Sequence, residues 1–69
     1  MIMRPAYLVK EGVVGSDTEL TEDELWILYI VVEEALKKYH TMRPLPDMDK
    51  FVTRYLNYYG FENVRYRQL

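Results

Sequence analysis

Residues 25–32 read Leu-Trp-Ile-Leu-Tyr-Ile-Val-Val, an unbroken apolar run inside a segment with the pattern of a helix. A surface helix needs only one apolar stripe, whereas a helix that is apolar on all sides must be covered on all sides. The chain has 69 residues, and a domain of that size buries only about 60% of the surface of its unfolded chain. We therefore expect a second molecule, either another copy or a different protein, to cover part of this helix.

The composition indicates one small globular domain over residues 1–69. Apolar residues make up 49% of the chain, which is typical of a packed fold rather than a disordered segment. There is no cysteine and one histidine, so the chain lacks disulfides and the usual ligand set of a zinc site. Small domains without these devices often gain stability by oligomerisation. The sequence thus predicts no cofactor, no metal and a homo-oligomer, most simply a dimer.

Charge is divided unevenly along the chain, although the net charge is only −2. Residues 1–34 carry eight acidic and two basic side chains, whereas residues 35–69 carry seven basic and three acidic ones. One interpretation is that two copies associate with acidic half against basic half. The other is that folding interleaves the two halves. The net acidity disfavours general binding to nucleic acid or to an anionic membrane.

No stretch of the chain approaches the ~20 consecutive apolar residues that a bilayer-spanning helix needs. The N-terminal segment also lacks the pattern of a secretory signal peptide. We expect a cytoplasmic protein without a membrane partner.

A first helix is predicted over residues 21–39. Thr21 and Glu24 have the spacing of a capping box, in which each side chain accepts a hydrogen bond from the other residue's backbone N–H. Acidic residues follow Thr21, and Lys37 and Lys38 stand near the other end, as the helix dipole favours. The predicted core stripe of this helix is Leu25, Leu28, Tyr29, Val32, Ala35, Leu36 and Tyr39.

A second helix is predicted from Asp47 to about residue 59, where Gly60 favours a left-handed end. Its wide apolar face contains Met48, Phe51, Val52, Tyr55, Leu56, Tyr58 and Tyr59. Residues 6–9 and 64–67 have the composition or alternation of strands, and residues 13–15 suggest a further strand. The predicted fold is α+β, in the order β-α-α-β, with two helices on a small two- or three-stranded sheet. The alternative is a mainly helical hairpin.

The predicted protein interface lies on the first helix outside its core stripe, at Trp26, Ile27, Ile30 and Val31. Leaving such side chains exposed forgoes roughly 1.5–3 kcal/mol each. We expect Trp26 and Ile30 to anchor the contact, because tryptophan is enriched at interface hot spots. The alternative is that the second helix and the sheet cover all four residues within one chain.

A competing interpretation is a nucleic-acid interface formed by Arg54, Arg65 and Arg67 together with tyrosines. Arginines hold phosphates, and aromatic rings stack on bases. The same pattern also fits core tyrosines and a solvated strand edge, and nucleic acid is the less favoured partner.

Candidate catalytic residues are absent. His40 has no cysteine or second histidine as a partner, and we expect it to be a solvated residue at the helix end. The acidic residues between 17 and 24 lack the spacing of a calcium loop. We therefore expect a small non-enzymatic interaction protein, of the adaptor or stoichiometric inhibitor type, with a protein partner.

Overall fold

The computed structural model describes residues 4–69, so the first three residues of the predicted domain lie outside the described part. An antiparallel sheet with the strand order β1-β2-β3 carries two helices on one face. The elements are β1 (Ala6–Val9), β2 (Gly12–Ser16), α1 (Glu22–Tyr39), α2 (Met48–Tyr58) and β3 (Val64–Gln68). The predicted α+β class is confirmed. Of the two predicted strand numbers the sheet has three, in the element order β-β-α-α-β, and the helical-hairpin alternative is wrong.

A tight hairpin joins β1 and β2. Val9 pairs with Gly12, which leaves Lys10 and Glu11 as the two turn residues, and Glu11 has a φ of 60°. Gly12 lies directly against the ring of Tyr66 on β3, where an added Cβ would overlap the ring carbons. Glycine is therefore required at this position by the close approach of the two strands.

The capping box at the start of α1 is confirmed. The Thr21 hydroxyl accepts from the backbone N–H of Glu24 at 3.2 Å, and the Glu24 carboxylate accepts from the N–H of Thr21 at 2.9 Å. The hydrogen bond to the Thr21 backbone lowers the pKa of Glu24. Within residues 4–69, neither helix combines the length and hydropathy needed to cross a lipid bilayer.

The ends of α2 also follow the sequence. Asp47 caps the helix by accepting from the backbone N–H of Lys50 at 3.1 Å. At the other end Gly60 adopts a φ of 101°, and the N–H of Phe61 donates to the Leu56 carbonyl at 3.0 Å. This hydrogen bond is the one that closes a Schellman-type helix end, and it lets the buried Phe61 side chain pack beside the end of α2.

The hydrophobic core lies between the sheet and the two helices. Its buried apolar residues are Val14, Leu28, Val31, Val32, Ala35, Leu36, Tyr39, Met48, Val52, Leu56, Phe61, Val64 and Tyr66. Three sequence predictions are wrong at its margins. Tyr29, predicted in the core stripe, is 38% exposed. Tyr58 and Tyr59, predicted on the apolar face of the second helix, are 85% and 49% exposed.

Candidate functional site

Three exposed apolar side chains form a continuous surface on α1, which we call the outer patch: Trp26, Ile27 and Ile30. Their exposed fractions are 64%, 51% and 54%. Trp26 and Ile30 lie one helical turn apart, so their side chains are neighbours on the same side of the helix. The outer patch therefore contains three of the four residues of the predicted interface.

The outer patch lies opposite the core because of the helical repeat. Leu28, Val32 and Ala35 are fully buried on the inner side of α1. At 100° per residue, Ile30 points almost directly away from the mean direction of these three. Covering this side would require another molecule or another segment, since the sheet and α2 both lie on the inner side.

The prediction that Val31 belongs to the exposed interface is wrong. Val31 is only 5% exposed and belongs to the core cluster. Val31 follows Leu28 by three residues and precedes Ala35 by four, so it shares their flank of the helix. The inner side of α1 packs on both the sheet and the other helix, and its buried arc is wide enough to include that flank.

Charged residues surround the outer patch. Glu22 and Asp23 precede it on the exposed side of α1, and Glu33, Glu34 and Lys37 follow it. Within residues 4–69 the ion pairs are Arg4–Asp17 and His40–Glu11, so none of these five charges is paired. An apolar centre with a charged border is the usual anatomy of a protein-binding surface.

A second surface brings together the three arginines of the competing interpretation. Arg54 on α2 and Arg65 and Arg67 on β3 line one groove of about 440 Å³, together with Lys50. We call this surface the basic groove. Lys50 was missed by sequence reasoning, because its approach to β3 depends on how α2 crosses the sheet edge.

Two hydrogen bonds fix the position of α2 along β3. The Thr53 hydroxyl accepts from the backbone N–H of Tyr66 at 2.8 Å, and the Asp49 carboxylate accepts from that of Gln68 at 2.8 Å. Residue numbers therefore increase along α2 in the direction in which they decrease along β3, so the two elements run antiparallel. The same contacts satisfy outward N–H groups of an edge strand, which would otherwise be open to pairing with another chain.

Tyr66 forms the floor of the basic groove and is 1% exposed. Burial raises the pKa of its hydroxyl, and the nearby carboxylates of Glu11 and Asp49 raise that pKa further. The hydroxyl donates to the Lys10 carbonyl at 3.2 Å. Tyr66 is therefore a neutral structural residue, and its ring is unavailable for stacking on a ligand.

Three of the remaining charged candidates, Asp17, Glu24 and His40, have partners within the fold. Asp17 accepts from Arg4 at 3.1 Å, and Glu24 belongs to the capping box. His40 is exposed, as predicted, but its Nε2 lies 3.4 Å from a carboxylate oxygen of Glu11, which the sequence did not suggest. Within the described part of the chain, no three acidic or histidine side chains come together as metal ligands would.

The structure thus presents two separate surfaces, an apolar one on α1 and a basic one between α2 and β3. Comparison with protein-family models, with curated proteins and with solved structures finds no match to this chain.

Proposed function

We propose that this protein is a non-enzymatic interaction protein that forms a homodimer through the outer patch of α1. The observation that carries the proposal is the exposure of Trp26, Ile27 and Ile30 side by side on one helix. The dimer would present two copies of its other surfaces to a protein partner in the cytoplasm, as an adaptor or a stoichiometric inhibitor does.

The energetic argument rests on the size of the domain. Complete burial of a large apolar side chain contributes roughly 1.5–3 kcal/mol. The three residues of the outer patch are about half exposed, so covering them would gain roughly half of that amount each. A symmetric dimer uses each contribution twice. For a small domain with a stability of about 5 kcal/mol, such a gain is large.

The charges along the exposed side of α1 favour an antiparallel second copy. Asp23 precedes Ile30 by seven residues and Lys37 follows it by seven. A two-fold axis near Ile30 would therefore place Asp23 of each copy across from Lys37 of the other. The same axis sets Ile30 against Ile30 and Trp26 across from Glu34 of the other copy, so Ile30 is the outer-patch residue that it covers most. The antiparallel arrangement also sets opposite ends of the two helix dipoles side by side.

The first test is the solution molar mass over a wide concentration range, measured by sedimentation equilibrium. We expect the wild-type chain to approach the mass of a dimer and Trp26→Ala to stay monomeric. Tyr58→Ala is the matched control, because Tyr58 is an exposed aromatic residue on the other helix. A wild-type monomer at all concentrations, or a Trp26→Ala dimer as stable as the wild type, would contradict the proposal.

A charge exchange tests the antiparallel arrangement itself. Lys37→Glu should weaken the dimer by setting like charges across the axis, and so should Asp23→Lys. The double variant should recover most of the wild-type affinity, because the two charges are exchanged as a pair. Additive weakening in the double variant would exclude this arrangement.

A further inference from the structure

We propose that the basic groove binds a single-stranded nucleic acid through its phosphodiester backbone. This surface is separate from the outer patch, so the proposal does not depend on the homodimer. The residues that carry it are Lys50, Arg54, Arg65 and Arg67, which line the groove between α2 and β3.

The four cations form two matched rows. The contacts Asp49–Gln68 and Thr53–Tyr66 set the register of α2 against β3. Four helical residues advance about 6 Å, and two strand residues advance about 6.6 Å, so the register is kept from one contact to the next. Lys50 consequently stands at the level of Arg67, and Arg54 at the level of Arg65. The groove offers a pair of positive charges at each of two successive levels, as a linear polyanion requires.

Within residues 4–69, these positive charges form no ion pair. The ion pairs within residues 4–69 involve neither Lys50 nor any of the three arginines. Asp49, the one acidic residue in the lining, is held by the N–H of Gln68. The groove lining therefore keeps four basic side chains and one carboxylate, although the net charge of the chain is −2.

The basic surface continues around β3 onto the open face of the sheet. Arg65 and Arg67 also line a second concavity there, of about 410 Å³, together with Arg4 and Asp17, which pair with each other at 3.1 Å. The small residues Ala6 and Gly15 line the same concavity, so a strand leaving the groove meets no large side chain at those two positions. A polyanion longer than the groove could thus remain in contact with arginines on both sides of β3.

The structure favours a nucleic-acid strand over an acidic peptide. An extended peptide at a sheet edge gains most of its affinity from main-chain hydrogen bonds. Thr53 and Asp49 already occupy the N–H groups of Tyr66 and Gln68 at this edge. A phosphodiester backbone needs only cations, and guanidinium groups match its oxygens with two parallel hydrogen bonds. Because Tyr66 is buried, we expect little dependence on base sequence.

The test is fluorescence anisotropy of labelled 12-nucleotide oligo-dT and oligo-U as a function of NaCl concentration. Four neutralised phosphates predict a slope of log K against log salt of about −2.8, from roughly −0.7 for each contact on a single strand. Arg65→Ala/Arg67→Ala should reduce that slope by about 1.4 and weaken binding at least about tenfold at low salt. Equal binding of both probes would identify the shared backbone as the ligand.

Lys10→Ala/Arg43→Ala is the control, because it removes the same charge from residues that line neither concavity. The control should bind like the wild type. Equal loss in both double variants would assign binding to overall charge and overturn the proposal. Retention of labelled polyglutamate in preference to both oligonucleotides would make the ligand an acidic protein segment instead. Absence of binding to either oligonucleotide at 20 mM salt, roughly a 20 Å screening length, would also overturn it.

Discussion

The two helices use their outward sides in opposite ways. On α2, the polar side chains of Asp49 and Thr53 accept hydrogen bonds from backbone N–H groups at the edge of β3. On α1, the outward side of the first two turns carries Trp26 and Ile30, which are 64% and 54% exposed. The shorter helix thus covers the sheet edge and leaves Tyr58 exposed at its last residue, whereas the longer helix exposes three neighbouring apolar side chains, Trp26, Ile27 and Ile30.

This difference shows that the apolar content of a helix does not by itself tell how much of it is buried. The inner side of α1 is already filled by Leu28, Val32 and Ala35, each fully buried. The outer patch is therefore additional to the core. A stable single-chain fold does not require it, and an interface would explain its presence.

The largest expected change in the free energy of unfolding should distinguish the buried side of α1 from its exposed side. Leu28→Ala should lower the free energy of unfolding by about 2–5 kcal/mol, because it leaves a cavity at a fully buried position. Ile30→Ala should change the unfolding of the monomer by less than about 1 kcal/mol, since surface substitutions rarely cost more. Urea denaturation at a concentration where the protein is monomeric measures both.

Comparable losses of stability in the two variants would contradict this difference between the two sides of α1. They would mean that the outer side of α1 is as well covered within the monomer as its inner side. The urea titration is repeated at a protein concentration where the dimer forms. The loss of stability in Ile30→Ala should then increase, because that variant also weakens the dimer, whereas Leu28→Ala should still show the loss measured for the monomer.

A smaller loss of stability is expected for substitutions at the contact between α2 and β3. Thr53→Val keeps the side-chain shape but removes the acceptor for the Tyr66 N–H, so it should cost about 1–3 kcal/mol. The neighbouring exposed substitution Lys50→Ala should leave stability within about 0.5 kcal/mol of the wild type. Thermal unfolding with hydrogen exchange of the Tyr66 amide checks both, and unchanged protection in Thr53→Val would show that the edge is not held by α2.

The smallest loss of stability is expected for substitutions in the capping box at the start of α1. Thr21→Ala should destabilise the protein by about 1 kcal/mol, because it removes the cap of the helix that bears the outer patch. Glu24 has a lowered pKa when folded, so its contribution is present above its ordinary pKa of 4.5. That contribution disappears as the pH falls through the folded pKa.

Glu24→Gln tests this pH dependence. The variant should unfold at a lower temperature than the wild type at pH 7, and the difference should vanish at low pH, where the wild-type carboxyl is protonated. A difference that persists unchanged at low pH would mean that the charge of Glu24 does not contribute through the cap.

Local features of the fold could be predicted because they depend on neighbouring residues. Thr21 and Glu24 form the capping box, Asp47 caps the second helix, and Gly60 ends it with a positive φ, all as the sequence indicates. Such contacts span three or four residues along the chain. The same locality explains why Trp26, Ile27 and Ile30 could be recognised as apolar residues outside the main stripe.

Features that depend on packing could not be predicted. Val31 became a core residue because the buried arc of α1 is wider than one stripe. Tyr58 is exposed at the last residue of α2, although Phe51 and Tyr55 on the same flank pack against the core. The alignment of Lys50 with the strand arginines follows from the crossing of α2 over β3, which no short-range pattern encodes. Sequence periodicity identifies a surface but does not place it against its neighbour.

The most direct test of the proposed dimer is the fluorescence of Trp26, which is the chain's only tryptophan and lies in the outer patch. Its acrylamide quenching and emission maximum are measured while the protein is diluted over several orders of magnitude. If the outer patch forms the dimer interface, the indole is blue-shifted and protected at high concentration, and red-shifted and readily quenched after dissociation. An indole that stays equally accessible throughout, while sedimentation reports a dimer, would contradict the assignment of the interface to this face of α1.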